Sequence, residues 1–286
     1  MTSAPLLSFV KVQGLGNDFV LLDVRHGQPP DWPGDAQAAI VLCDRHFGVG
    51  GDGLLLVGPS TVAQARMRVV NADGSEAEMC GNGLRCVAAY LWDRVRPEIA
   101  IETGAGVRSC RMHSSARGVE VEVDMGAPEV RFIQRPITVL DRDFVTTAIG
   151  LGNPHLITFL DGEEPLRELA RRYGPDLEHH PEFPERTNVG FARPLEDGSI
   201  ELVVWERGCG LTLACGTGAC ATAAAAICLG LRPVEAVVPV RLPGGTLRVR
   251  VHTGLCAVSM AGPAREVFRG VVPLQELVQQ AGPRLL

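Results

Sequence analysis

Two stretches of this sequence place a thiol at the head of a glycine-opened turn, Cys80-Gly81-Asn82-Gly83 and Cys215-Gly216-Thr217-Gly218. Each is followed by an apolar, alanine-containing run that reads as a helix, so each cysteine falls at a helix start. The first backbone N–H groups of a helix have no partner inside it, and its dipole is positive there; both favour thiolate over thiol. Glycines lack a Cβ, so a ligand carboxylate can come close to the same N–H groups. Each helix holds a further cysteine about a turn and a half on, Cys86 or Cys220, and these, with Cys228, read as packing residues. An internal duplication explains the pair of turns most economically.

A single turn of this kind is ordinary, because buried structural cysteines are common. Two of them, one in each half, suit a two-base racemisation. Pseudo-twofold packing of the halves would bring both helix starts to one cleft. One thiolate would remove the α-proton of an amino acid while the opposed thiol delivers a proton to the other face. The two helix starts would hold the α-carboxylate and the charge that spreads into it.

Other motifs are weaker. Gly48-Val49-Gly50-Gly51-Asp52-Gly53 matches the dinucleotide pattern but follows a helix and precedes a strand, the reverse of the order that aims a helix at a pyrophosphate. Cys209, Cys215 and Cys220 include no C-x-x-C pair and have no histidine beside them, so no metal site is expected. His179-His180 lies in a Pro- and Glu-rich stretch that reads as a solvated loop.

The elements that must position the cysteines are short. In the first half, strands are expected at Leu7–Val12, Phe19–Val24, Leu54–Val57, Met67–Val70, Ile99–Glu102, Val107–Met112 and Val119–Val123, with helices over Ala36–His46 and Cys80–Asp93. Gly126-Ala127-Pro128 breaks the pattern. The second half repeats it, with strands Ile137–Leu140, Phe144–Ile149, Leu156–Phe159, Val189–Arg193 and Ile200–Trp205, helices Pro165–Tyr173 and Cys215–Gly230, and a hairpin at Pro243-Gly244-Gly245. The expected fold is α+β: two pseudosymmetric domains, 1–126 with 264–286 and 127–263, each a curled, mostly antiparallel sheet around a central helix. The small residues of the second helix would let strands approach it from several sides.

Composition narrows the function. A length of 286 residues with 46% hydrophobic content suits two domains. A net charge of −6 argues against a nucleic-acid partner, which needs surplus Lys and Arg. Lys11 is the only lysine among 27 basic residues, which argues against pyridoxal chemistry. Nine cysteines without a leader pattern suggest a reducing, cytoplasmic setting. The uncharged run from Gly208 to Leu231 is built of Gly, Ala, Thr and Cys and reads as a loop feeding a buried helix, not as a membrane span.

Gly14-Leu15-Gly16-Asn17-Asp18-Phe19, Arg45-His46-Phe47-Gly48-Val49-Gly50, Asn71-Ala72-Asp73-Gly74-Ser75-Glu76, Gly152-Asn153-Pro154-His155, Thr187-Asn188-Val189-Gly190 and Glu206-Arg207-Gly208 join the two cysteine turns in a further reading. Together they make the chain resemble the diaminopimelate epimerase family over nearly its whole length. The resemblance implies a cofactor-independent enzyme of lysine and cell-wall precursor synthesis that interconverts LL- and meso-diaminopimelate, and a homodimer. It puts Cys80 and Cys215 on the catalytic pair, and the main chain around Gly81-Asn82 and Gly216-Thr217 on the reacting carboxylate. Asn17, Asn71, Asn153, Asn188, Glu206 and Arg207 fall on substrate contacts, several at the distal amino-acid end, and His155 and Glu206 support catalysis. A carboxylate, a guanidinium fork and neutral amides suit a distal ammonium and carboxylate.

The chain departs from the family at Gly53, where some members have Gln, and at Leu211, where Glu is usual, with Cys209 just before it; the loop ahead of Cys215 is then open to different packing. Three rival functions remain: a related racemase of histidine or proline, a thiol redox protein and a binding protein on the same scaffold. Two thiols addressed to one carbon also invite a Cys80–Cys215 disulfide in air, against which stands oxidation at an exposed thiol such as Cys110 or Cys256.

Overall fold

The structure is a computed structural model that describes residues 6–29, 31–77, 79–115 and 118–282. The chain divides into two compact units, Met1–Val123 with Pro263–Leu286 and Asp124–Gly262. It runs through β1 (Leu7–Gly14), β2 (Asn17–Asp23), α1 (Asp35–Cys43), β3 (Gly53–Gly58), β4 (Ala65–Asn71), β5 (Glu76–Ala77), α2 (Gly81–Leu91), β6 (Glu98–Thr103), β7 (Gly106–Ser115) and β8 (Gly118–Asp124). The second unit comprises β9 (Glu129–Val139), β10 (Arg142–Gly150), β11 (Pro154–Phe159), α3 (Leu166–Glu178), β12 (Asn188–Pro194), β13 (Ile200–Glu206), β14 (Gly210–Leu211), α4 (Gly216–Cys228), β15 (Val237–Leu242), β16 (Gly245–Val251) and β17 (Val258–Pro263). The chain then returns to the first unit as β18 (Arg265–Val272) and α5 (Leu274–Ala281).

Within the first unit the strands lie in the order β18-β1-β2-β3-β4-β6-β7-β8, and within the second β9-β10-β11-β12-β13-β15-β16-β17. The two plans match strand for strand, with β18 beside β1 in the place that β9 takes beside β10. Each sheet is mostly antiparallel and holds two parallel pairs, β2 with β3 and β4 with β6, β11 with β12 and β13 with β15. A helix stands between the members of each, as a parallel pair needs a crossover. The α+β fold of curled sheets around central helices is as expected.

α2 packs against β1, β2, β3, β4, β6, β7 and β18, and α4 against β10, β11, β12, β13, β15 and β16. Such enclosure needs small side chains at the contacts. Ala219–Ala226 of α4 are all buried. A Cβ on Gly83 would lie 2.8 Å from Leu55, and one on Gly218 3.1 Å from both Val204 and the Cys215 sulfur. The last glycine of each turn thus sits at a close helix-on-sheet contact, tighter at Gly83 than at Gly218. On the outer face of the first sheet, α1 and α5 cover Leu22, Leu54, Leu56 and Val70, and α3 covers Leu156, Phe191 and Val203 in the second.

Several boundaries differ from the sequence reading. α1 stops at Cys43, not His46, because Asp44 leaves helical geometry and its carboxylate accepts from the His46 and Phe47 amides. α3 continues past Tyr173 to Glu178 with Pro175 inside it. Its Gly174 lies flat against Trp205, where a Cβ would come within 2.6 Å of the ring. β9 starts at Glu129, well before Ile137; its first residues alternate, with Val130 and Phe132 half-buried between exposed charges, but the exposed Ile133-Gln134-Arg135-Pro136 breaks the pattern before Ile137.

Candidate active site

Cys80 and Cys215 occupy the same local geometry. Each is the N-cap of its helix in extended conformation, at φ −138° and −115°, and each sulfur accepts a hydrogen bond from the third-position amide, Gly83 N at 3.4 Å and Gly218 N at 3.3 Å. The strand ends facing them also correspond. Gly14-Leu15-Gly16-Asn17 joins β1 to β2, and Gly150-Leu151-Gly152-Asn153 joins β10 to β11. Gly53 stands opposite Asn71, and the equivalent strand ends in the second unit carry Asn188 and Glu206. This second repeat was visible in the sequence as two Gly-Leu-Gly-Asn runs and was missed.

Around Cys80, the Asn17 carbonyl oxygen faces the sulfur at 4.0 Å and accepts from Asn82 Nδ2 at 3.1 Å. Asn17 Nδ2 donates to Asp52 at 2.7 Å. Asn82 Oδ1 accepts from Arg85 Nη2 at 2.8 Å, and the Gly81 carbonyl accepts from Arg85 Nη1 at 3.4 Å. Asn71 lies one strand end away and donates its amide to Ser75 Oγ at 2.9 Å. Gly53 has no room for a side chain, since a Cβ would be 2.9 Å from the Val70 carbonyl. Lys11 is buried, with its ammonium bound to Asp18 at 2.5 Å and to the Gly50 carbonyl. Asp52 and Arg85 had no place in the sequence reading.

Around Cys215, Thr217 Oγ1 lies 3.6 Å from the sulfur and accepts from Asn153 Nδ2 at 3.4 Å. His155 Nε2 pairs with Asn153 Oδ1 at 2.9 Å. Burial, and secondarily the charge of Arg207, holds the His155 imidazole neutral by lowering its pKa to about 3. The Glu206 carboxylate accepts from Thr212 Oγ1 and is close enough to Cys215 for its charge to raise the thiol. Asn188 bridges the Pro154 carbonyl at 2.9 Å and the Arg207 amide at 3.0 Å, and the Arg207 guanidinium donates to the Glu185 carbonyl at 3.0 Å. Gly216 is buried as the first residue of α4. The turn carrying Glu206 and Arg207 is pinned by Glu178, a buried carboxylate that accepts from Trp205 Nε1 and the Gly208 amide. Glu178 was also missed, because its partners are far away in sequence. Leu211 packs its side chain against the core beneath α3, while Cys209 is exposed.

The helix-start argument needs correction at Cys215. Burial pushes its thiol well above the ordinary cysteine range, and the Glu206 charge pushes it further; the amide and hydroxyl contacts that favour thiolate are outweighed. Cys110 also differs from expectation: it is buried in β7, with its thiol pushed up to about 12 by burial, as are Cys43 and Cys86. Cys256 is exposed. Among the described residues no group of His, Cys, Asp and Glu has the arrangement of a metal site, and no helix is long and apolar enough to cross a membrane.

Residues 9–131 and 147–267 match the sequence model of a family described as diaminopimelate epimerase. The chain belongs to the diaminopimelate epimerase family. It is thus similar to the diaminopimelate epimerase of Desulfitobacterium hafniense, 44% identical over 282 residues that cover 93% of this chain and 98% of that one. It is also similar to that of Synechococcus sp. strain JA-3-3Ab, 43% identical over 281 residues covering 92% and 97%. Among solved structures the fold is shared with a hydroxyproline epimerase from Agrobacterium vitis, with a TM-score of 0.71 at 17% identity over 93% of this chain and 92% of that one. A methylitaconate-delta-isomerase has a TM-score of 0.67 at 14% identity over 97% and 98%. Membership of the diaminopimelate epimerase family makes the chain an isomerase.

Proposed function

We propose that the chain interconverts LL- and meso-2,6-diaminopimelate, without a cofactor, by proton transfer between Cys80, Cys215 and the α-carbon. The observation that carries this reading is the twin cap geometry: two thiols, each on the third amide of a glycine-opened helix. In one direction the Cys80 thiolate takes the α-proton and becomes a thiol. The electron pair left on carbon delocalises into the α-carboxylate, which the first-turn amides of α2 and α4 stabilise. The Cys215 thiol then gives its proton to the opposite face and becomes a thiolate, so the reverse reaction is set up without an outside proton. Burial and Glu206 support Cys215 as the group that waits protonated. Both helix starts have to meet one α-carbon in the reacting complex.

Asn17, Asn71, Asn82, Asn153, Asn188, Thr217 and the main chain of Gly81 and Gly216 are assigned to substrate contacts, with Arg207 on the distal carboxylate, and His155 supports the Asn153–Thr217 side of the site. The place of action is lysine and peptidoglycan precursor synthesis in the cytoplasm. We further propose a homodimer, supported by Val267, Phe268 and Val271, which β18 leaves exposed; light scattering at micromolar protein tests it. For the activity, purified protein is incubated in deuterated water, without cofactor, with LL-diaminopimelate, histidine, proline or lysine. Deuterium entry at the α-carbon of diaminopimelate alone is expected. Exchange on proline or histidine in its place would move the assignment to the rival racemase.

A further inference from the structure

The first unit contains a line of hydrogen bonds that runs in one direction and ends on a charge at each side. The Asp52 carboxylate accepts from Asn17 Nδ2, Asn17 Oδ1 accepts from Asn82 Nδ2, and Asn82 Oδ1 accepts from Arg85 Nη2, at 2.7, 3.1 and 2.8 Å. An amide between neutral partners can turn either way. A carboxylate, however, only accepts and a guanidinium only donates, so here each amide has one orientation that satisfies its neighbours. That orientation turns the carbonyl oxygen of Asn17, not its N–H, toward the Cys80 sulfur.

Both ends are built in. Arg85 is 0% exposed, its Nε reaches the Pro263 carbonyl at 3.4 Å, and a Cβ on Gly14 would lie 3.1 Å from its Nη2. Burying a guanidinium is costly, and the fold does not demand it: the equivalent position in α4 is Cys220, fully buried in the same kind of helix. At the other end, Asp52 is held by the Asp18 amide at 3.0 Å and by Arg45 at 2.8 Å, with its side chain 42% exposed.

We infer that Arg85 and Asp52 are positioning residues for Cys80, fixing Asn17 and Asn82 so that the sulfur meets a carbonyl oxygen. This rests on the reading of Cys80 as an acid–base group. A carbonyl beside the sulfur offers the thiolate no hydrogen bond and gives the S–H an acceptor once the proton has arrived. The thiolate therefore stays a strong base, whereas an N–H in that position would quench it.

Either charged end alone still orients both amides, so the test removes both: the double variant Asp52→Asn/Arg85→Gln replaces each one-polarity end with an amide that has two. In it, kcat for epimerisation is expected to fall about 10- to 100-fold, as for a displaced reacting group, with a smaller change in KM, while each single variant changes less. Alkylation of Cys80 by iodoacetamide at neutral pH is expected to quicken at least about threefold, because an N–H can now turn to the sulfur and favour thiolate. Peptide mapping reads each cysteine separately, with Cys86 and Cys220 reporting loss of structure. Wild-type alkylation of Cys80 in the double variant would overturn the inference, as would equal acceleration at every cysteine, which assigns the line to stability alone. If that variant does not fold, Asp52→Asn with Asn82→Ala carries the test, because it cuts Arg85 off from Asn17 and frees the same amide. The labelling needs no substrate: an inactive wild type would refute the proposed reaction and leave this inference to be decided separately.

Discussion

The turns at Cys80 and Cys215 are alike in backbone and opposite in the charge set beside them. Where the second unit ends β13 with Glu206, the first ends β4 with the neutral Asn71; where α2 buries Arg85, α4 buries Cys220. A duplicated cap thus supplies two thiols in the same geometry, and the divergent neighbours separate them. Cys215 is buried against a carboxylate and rests as a thiol, while Cys80 is half-buried among oriented amides with a guanidinium behind them. In the two-base reaction proposed above, this inequality favours the starting state in which Cys215 carries the proton.

Removing either thiol breaks the comparison outright. Cys80→Ala and Cys215→Ala are each expected to lower epimerisation by about 10²–10⁴-fold, the usual worth of a positioned acid or base, and the double variant should be scarcely worse. Two-way turnover by a single variant would end the two-base reading. Glu206→Gln sharpens the comparison: with the charge gone, Cys215 should lose part of what raises its thiol. Its alkylation at neutral pH should quicken while that of Cys80 stays constant, and kcat should fall about 10- to 100-fold. Unchanged Cys215 labelling would mean that burial alone sets its state.

Arg207→Lys should raise KM for diaminopimelate about tenfold with little change in stability, because a point charge cannot reproduce a planar fork on a carboxylate. Native kinetics in this variant would remove Arg207 from the distal clamp. The smallest effect expected is on stability in acid. His155 stays neutral in the folded chain down to about pH 3, whereas its ordinary value is 6.5. Above pH 6.5 neither state is protonated and the group contributes no pH dependence. Below it the unfolded chain binds the proton and the folded chain does not, so stability falls by about 1.4 kcal/mol per pH unit through this group. Urea unfolding at neutral pH and near pH 5 should show that slope in the wild type and its reduction in His155→Gln; identical slopes would place the acid sensitivity elsewhere.

The cysteine turns were legible because each signal is local: thiol, glycines and helix start lie within four residues, and a cap needs no distant partner. For the same reason the helix starts and most buried strands were readable from apolar alternation. β9 and β18 were not, because their exposed faces carry mixed charge and their place is set by pairing with β10 and β1. Asp52 and Glu178 escaped because each acts on a residue brought near by strand register or helix packing; Arg85 reaches Asn82 and Gly81 within its own helix, but its burial is decided by packing. Asp52 looked like part of a glycine-rich turn, and Glu178 sat beside two histidines that read as a solvated loop.

By itself, then, the sequence determined the chemistry on offer: two thiols at helix starts, an amide-rich set of strand-end residues and a single lysine. Tertiary structure alone decided how the two thiols differ. Burial depth, and which charged side chain comes to lie against each site, are set by how strands and helices pack, even for groups as close in sequence as Glu206 to Cys215 and Arg85 to Cys80. The free energy of placing charge on sulfur depends on those neighbours far more than on the residues of the turn itself.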